Sequence, residues 1–148
     1  MKKIIILLLF VVVFNMTGCA NKLKETQSMG GSTIEETLKK YSEAWANIDY
    51  NKYTGNEILP YMTKEGSKKW FEEKSTQYVD TYKKLKTVRV FTDAEISDIQ
   101  DNGNNATAIL VVHSIQKEPD EKVCIDLPVK VYLTKIDDKW FVDHTEKQ

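Results

Sequence analysis

A chain of 148 residues, 41% hydrophobic and 29% charged, is long enough for one globular domain of ordinary size with a short extension. Its 21 basic and 22 acidic residues leave a formal charge of -1, and the lysines at Lys68-Lys69, Lys83-Lys84 and Lys86 interleave with Glu72, Glu73 and Asp80. A nucleic-acid binder shows a basic face or stripe, so nucleic acid is not an expected partner. Two cysteines, Cys19 and Cys124, and two histidines, His113 and His144, stand without the close spacing of a structural zinc site, and neither metal nor cofactor is expected.

The chain opens with Lys2-Lys3, an unbroken apolar run from Ile4 to Phe14, and then Asn15-Met16-Thr17-Gly18-Cys19. A membrane-spanning helix needs ~20 apolar residues, and these eleven are too few. A charged start, a short apolar stretch and a small residue before a cut describe a cleaved secretory signal. Met16-Thr17-Gly18-Cys19 resembles the lipobox of bacterial lipoprotein signal peptides, with Met16 where that pattern more often has Leu, Val or Ile. The resemblance implies that residues 1–18 are removed and that Cys19 carries a diacylglyceryl group with acyl chains such as palmitate. Two chains satisfy the rule that stable anchoring takes two signals. The membrane lipid is thus the first expected partner, and the localisation is the extracytoplasmic side of a cell membrane. The cut removes Lys2 and Lys3 and no acid, so the charge becomes -3. With Cys19 lipidated, Cys124 has no intramolecular disulfide partner. The Lys-, Ile- and Asn-rich composition suggests an AT-rich, Gram-positive genome, and the sequence leaves open whether the organism has an outer membrane.

From Cys19 to Ser32 the sequence is polar and contains Gly30-Gly31, which predicts a flexible tether, because it buries too little surface to offset its ordering entropy. The folded domain is expected over 33–148. Ser32 with Glu35, or Thr33 with Glu36, forms a capping box. Ile34, Leu38, Tyr41, Trp45 and Ile48 follow at helical spacing as one apolar stripe. Asn51 to Gly55 breaks the helix, Ile58 to Met62 forms a short apolar connector, and Thr63 caps a second helix whose buried side is Trp70, Phe71, Tyr78 and Leu85. Strands are expected from Val88 to Ile99, from Ala106 to Gln116, from Val123 to Thr134 and from Lys139 to His144. Turns separate them at Asp101-Asn102-Gly103-Asn104-Asn105, Glu118-Pro119-Asp120 and Asp137-Asp138. In the third strand Val123, Ile125, Leu127, Val129, Val131 and Leu133 point one way, and Cys124, Asp126, Pro128, Lys130, Tyr132 and Thr134 the other. Pro128 marks a bulge or an edge.

Helices followed by a meander of strands define an α+β class, with N-terminal helices packed on a curved, mostly antiparallel four-stranded sheet. The capped helix with Tyr41 and Trp45, the connector at Pro60 and the closing hairpin Lys135-Ile136-Asp137-Asp138-Lys139-Trp140-Phe141-Val142-Asp143 resemble the NTF2-like superfamily over residues 33 to 146. A cystatin-like sheet around one helix is the alternative fold. The superfamily hosts isomerases, dehydratases, small-ligand pockets and non-catalytic interaction modules, so the fold does not choose among them. An isomerase would need a carboxylate base, Asp126 or Asp143, and an oxyanion donor, His113, Tyr132 or Tyr41. No motif of those enzymes is matched, and no catalytic residue is carried over. Cys124 would need a nearby base such as His113 to act as a nucleophile.

The resemblance extends to NTF2-like domains of conjugative-transfer machinery, and the lipobox to lipoproteins of mobile elements acting in surface exclusion or immunity. It implies a non-catalytic, membrane-anchored module that docks an envelope protein. Tyr132, Lys130, Asp126 and His113 form the candidate interaction or pocket face, and the second possibility is a pocket for a small apolar molecule or an isomerase-like enzyme.

Overall fold

The computed structural model describes residues 29–117 and 121–148. The expected signal peptide, the expected lipidation site Cys19, the expected tether as far as residue 28 and the turn expected at Glu118-Pro119-Asp120 lie outside the described residues. No helix among the described residues is long and apolar enough to cross a membrane.

The first helix, α1 (Ile34–Ala46), starts where its capping residues require. The Thr33 hydroxyl accepts from the Glu36 N–H at 3.1 Å, while the Glu36 carboxylate reaches back to the Ser32 N–H at 2.8 Å and hydroxyl at 2.7 Å. Lys40, one turn on, completes the set at 2.7 Å. Lys40 first and Ser32 second hold the Glu36 carboxyl down at about 2. The helix ends at Asn47, whose backbone is extended and whose side-chain oxygen accepts from the Phe91 N–H at 2.9 Å. Ile48 therefore leaves the helical stripe and pairs instead as a two-residue strand, β1 (Ile48–Asp49), against Arg89.

A turn of 3-10 helix at Leu59–Tyr61 leads to α2 (Lys64–Trp70), a π-helical turn at Phe71–Ser75 and α3 (Thr76–Leu85). Thr63 caps this run as expected, accepting from the Gly66 N–H at 3.0 Å and donating to Asp143 at 2.8 Å. The expected buried side is corrected. Phe71 is 52%, Tyr78 40% and Leu85 67% exposed, and only Trp70 of the four is half-buried without a large exposed area. A π turn adds a residue to the helix and so breaks the phase between Trp70 and the residues of α3. Gly66 and Ser75 are the positions that turn inward. A Cβ on Gly66 would run into the Asp143 carbonyl, so only glycine lets the helix approach the sheet there.

The sheet is a five-stranded antiparallel meander in the order β1-β2-β3-β4-β5, with β2 (Val88–Asp101), β3 (Asn105–Lys117), β4 (Lys122–Ile136) and β5 (Lys139–Lys147). This is the expected α+β architecture of helices on a curved antiparallel sheet, with β1 as a strand beyond the four expected. The β4–β5 turn places Asp137 and Asp138 at φ 50° and 61°, the pair of positive values a two-residue hairpin needs. Two register shifts in β2, between Phe91 and Asp93 and between Ser97 and Gln100, bend the outer part of that strand. A third falls in β5, where Tyr132 pairs with His144 and Leu133 with Val142, so Asp143 is the extra residue. Pro128 is in regular register opposite Val111. Its carbonyl accepts from Gln148 on the β5 side, beyond the last β4–β5 pair, Val129 with Lys147. The N–H it lacks would point to that same side, and the position is an edge rather than a bulge.

The core lies between α1 and the concave face of the sheet, where Leu38, Ile58, Leu110, Val112, Val131 and Val142 are fully enclosed. The alternation in β4 is as expected, but its burial divides. Val129, Val131 and Leu133 are buried under the helices, while Val123, Ile125 and Leu127 are half-buried on a strand that outruns them.

Residues 29–32 depart from a tether. Met29 and Gly30 donate to the Pro60 carbonyl, Gly31 exchanges hydrogen bonds with Trp140, and Gly30 lies against the Phe141 ring. Thr37, fully buried, accepts from the Gly31 N–H at 3.0 Å and donates to the Thr33 carbonyl at 2.9 Å. The boundary drawn at residue 33 therefore falls inside packed structure.

Candidate functional site

Two surfaces of the sheet carry the candidate residues. The helices cover one face, and the other has no element of the described residues upon it. Strand pairing decides which side chains meet on the uncovered face, because residues directly opposite in an antiparallel ladder share a side.

Tyr132 pairs with Thr107 on one side and His144 on the other. Its ring stacks on His144 with centroids 4.2 Å apart and planes within 9°. Its hydroxyl donates to Glu146 at 3.0 Å, and the Lys130 ammonium sits 5.2 Å from the ring centroid. Lys130 also borders a shallow hollow of about 510 Å³ together with Ile99, Thr107 and Ile109. The aromatic ring is thus held from three directions, with little conformational freedom left to lose on contact with a partner.

His113 and Asp126 face each other across β3 and β4, with Nδ1 to Oδ1 at 2.7 Å. Glu95 of β2 stands on the other side, 3.4 Å from Nε2, an electrostatic contact without hydrogen-bond geometry. Asp126 by its hydrogen bond, and the charge of Asp126 and Glu95 in addition, raise the His113 pKa above its ordinary value of 6.5, against a smaller opposing effect of desolvation. Cys124 is exposed and pairs with Ile115, not with His113. The register therefore does not bring the thiol and the imidazole together as a nucleophile pair.

The concave side holds a cleft of about 680 Å³ between α1, α3 and the end of β4. Tyr41, Trp45, Trp70, Tyr78 and Tyr82 supply its rings, and Arg89 enters from β2. Neither Asp126 nor Asp143 lines it, nor do His113 or Tyr132. Asp126 is on the uncovered face, and Asp143 accepts from Thr63 at the edge of β5. Of the expected base and donor candidates only Tyr41 lines the cleft, where burial pushes its phenol pKa up. The base-and-donor arrangement of an isomerase is not assembled there. Among the described residues no group of three or more His, Cys, Asp or Glu side chains is placed to hold a metal ion.

No sequence motif marks Arg89, Tyr82 or Tyr78, although all three line the cleft. The signal available is a single arginine in a chain otherwise basic through lysine, flanked by β-branched residues at Val88 and Val90.

No protein-family model and no curated relative matches the sequence. Solved structures do match in shape. An IcmL-like type IV secretion system protein from Legionella pneumophila is 14% identical with a TM-score of 0.61, over 80% of this chain and 94% of that one. The periplasmic domain of DotI is 12% identical with a TM-score of 0.60, over 76% of this chain and 91% of that one. An NTF2-like protein of unknown function from Prochlorococcus marinus is 17% identical with a TM-score of 0.42, over 78% of this chain and 94% of that one. At such identities the first two likenesses establish a shared fold and nothing finer.

Proposed function

We propose that this chain is a lipid-anchored, extracytoplasmic interaction module of an envelope assembly, non-catalytic, docking an envelope protein through the uncovered face of its sheet around Tyr132 and Lys130. The observation that carries the reading is the one-sided placement of the helices. It leaves Ile109, Val111 and Ile115 half-buried on a face beside a pre-ordered tyrosine. Rigid aromatic side chains anchor interfaces at low entropic cost, and Tyr is among the residues enriched there. The shared fold with a type IV secretion system protein and a periplasmic domain supports a conjugation-like assembly as the setting. The lipobox-like Met16-Thr17-Gly18-Cys19 supports the anchor and, with it, the extracytoplasmic side.

In-cell crosslinking of the full-length chain, followed by recovery and mass spectrometry, tests the docking face. One dominant envelope protein is expected with the native chain, reduced at least ~10-fold by Tyr132→Ala, as for a hot-spot residue worth ~2 kcal/mol. Unchanged recovery with the folded variant sinks the assignment to this face. The anchor is tested separately: Cys19→Ser should move the chain from the membrane fraction to the soluble one, and a variant still membrane-bound rules out anchoring through that thiol.

A further inference from the structure

The cleft on the concave face has a chemistry that the docking reading leaves unused. We propose that it is a binding site for a small, flat, apolar carboxylate, whose anionic end is held by Arg89 and whose body lies against the aromatic row formed by Trp70 of α2 with Tyr78 and Tyr82 of α3.

Size comes first. At about 680 Å³, the cleft falls within the ~300–1,000 Å³ typical of small-molecule sites. Its wall is a run of rings: Trp70 stacks on Tyr78 with centroids 5.5 Å apart and planes within 10°, and Tyr78 on Tyr82 at 6.1 Å and 27°. A helix that leaves Tyr78 40% exposed has not used this surface for its own core. Such a row favours a flat apolar body, which gains both area burial and ring–ring geometry.

Charge selects the rest of the ligand. Arg89, Lys74 and Lys147 line the cleft, and no Asp or Glu side chain does. Arg89 donates from Nη2 to the Gln116 amide oxygen at 3.2 Å, and its guanidinium lies 5.7 Å from the centre of the Tyr82 ring. Among the described residues no carboxylate stands within ion-pair distance of it. Its Nε–H is enclosed and has no hydrogen-bond acceptor. An enclosed donor without an acceptor is costly, and a charged one more so. Burial also raises the Tyr82 pKa, so this phenol stays neutral beside the guanidinium and supplies no counter-charge. A carboxylate entering the cleft meets the guanidinium charge and, once the guanidinium turns to present its Nε edge, satisfies the orphan donor as well, in the fork geometry for which arginine is suited and lysine is not.

This site is on the opposite face of the sheet from Tyr132, and it stands or falls independently of the docking reading. The test is calorimetric titration of the full chain in detergent with naphthoate and with its uncharged amide, naphthamide. Saturable binding of naphthoate is expected, at least ~10-fold tighter than that of the amide, the discrimination a charged hydrogen bond supplies. Arg89→Gln should lower naphthoate affinity by a similar factor and leave the amide unchanged. Equal affinity for the two probes, no binding of either at millimolar concentration, or full naphthoate affinity in a folded Arg89→Gln chain overturns the proposal. The comparison of the two probes on the native chain needs no variant, so it holds even where Arg89→Gln disturbs the stack on Tyr82.

Discussion

Ile109 and Leu110 are neighbours on one strand and live in different surroundings. Leu110 faces the helices and is fully buried, in contact with a core that includes Val112, Val131 and Val142. Ile109 faces the other way, half-buried by its strand neighbours alone, beside Val111 and across from Lys130. An antiparallel sheet with one covered face is expected to be polar on the other. Here the covered face is apolar and the uncovered face is mixed, with Ile109 and Val111 running between the Glu95–His113–Asp126 row and the Tyr132–His144 stack, and Ile115 beyond His113. The contrast teaches that the two faces are built to different ends. The covered face gains stability from enclosure, while the uncovered one has ordered side chains and apolar surface in excess of what folding uses.

The largest effects should fall on the covered face. Leu110→Ala removes a fully enclosed side chain and should cost ~2–5 kcal/mol in urea unfolding of the full chain. Ile109→Ala, one residue away, should cost under ~1.5 kcal/mol, because the side chain is only partly buried and its removal leaves no enclosed cavity. Equal losses at the two positions would erase the distinction between the faces. They would mean that the outer face is covered in solution, and a dependence of Ile109→Ala on protein concentration would then name a second copy of the chain as the cover.

The comparison also explains what could be read from the sequence. The α+β order, the caps at Thr33 and Thr63, the turn at Asp137-Asp138 and the inward row Val129, Val131 and Leu133 were legible, because each depends on contacts within a few residues or on strict period two. The inward side of α2–α3 was not, since a π turn at Phe71–Ser75 changes phase without any glycine or proline to announce it. Nor was the docking of Gly30 and Gly31. Composition reads them as tether, while Pro60, Trp140 and Thr37 hold them, and the first two of those partners are distant in sequence. The site was legible in part. Alternation alone puts Tyr132, Lys130 and Asp126 on one side of β4, and His113 joins them only through the pairing of β3 with β4. The pairing of His113 with Asp126, rather than with Cys124, depends on a register that a slip in the β3–β4 turn would change. Arg89 and its ring partners come together only in three dimensions, from β2 and α3, and no periodicity within either segment links them.

The smallest effect sharpens the outer face further. His113 has its pKa raised, chiefly by the hydrogen bond to Asp126, so the folded state binds a proton more tightly than the unfolded chain does. The stabilisation from this row is therefore complete below the unfolded value of about 6.5 and is lost as pH rises through the higher folded value. His113→Gln should consequently cost more stability at pH ~5.5 than at pH ~9. The difference should stay under ~1 kcal/mol because the partners are largely in solvent: Asp126 and Glu95 side chains are 65% and 74% exposed. Unfolding of the native chain and the variant in urea at the two pH values measures it. A flat difference would show that the imidazole is not held between the two carboxylates in solution, and a reversed one that burial outweighs the Asp126 bond. Either result would leave Tyr132 and its neighbours as the one ordered cluster on the uncovered face. The expected sign would make the face rigid at both ends, with the β-branched stripe of Ile109 and Val111 fixed between two pinned polar groups.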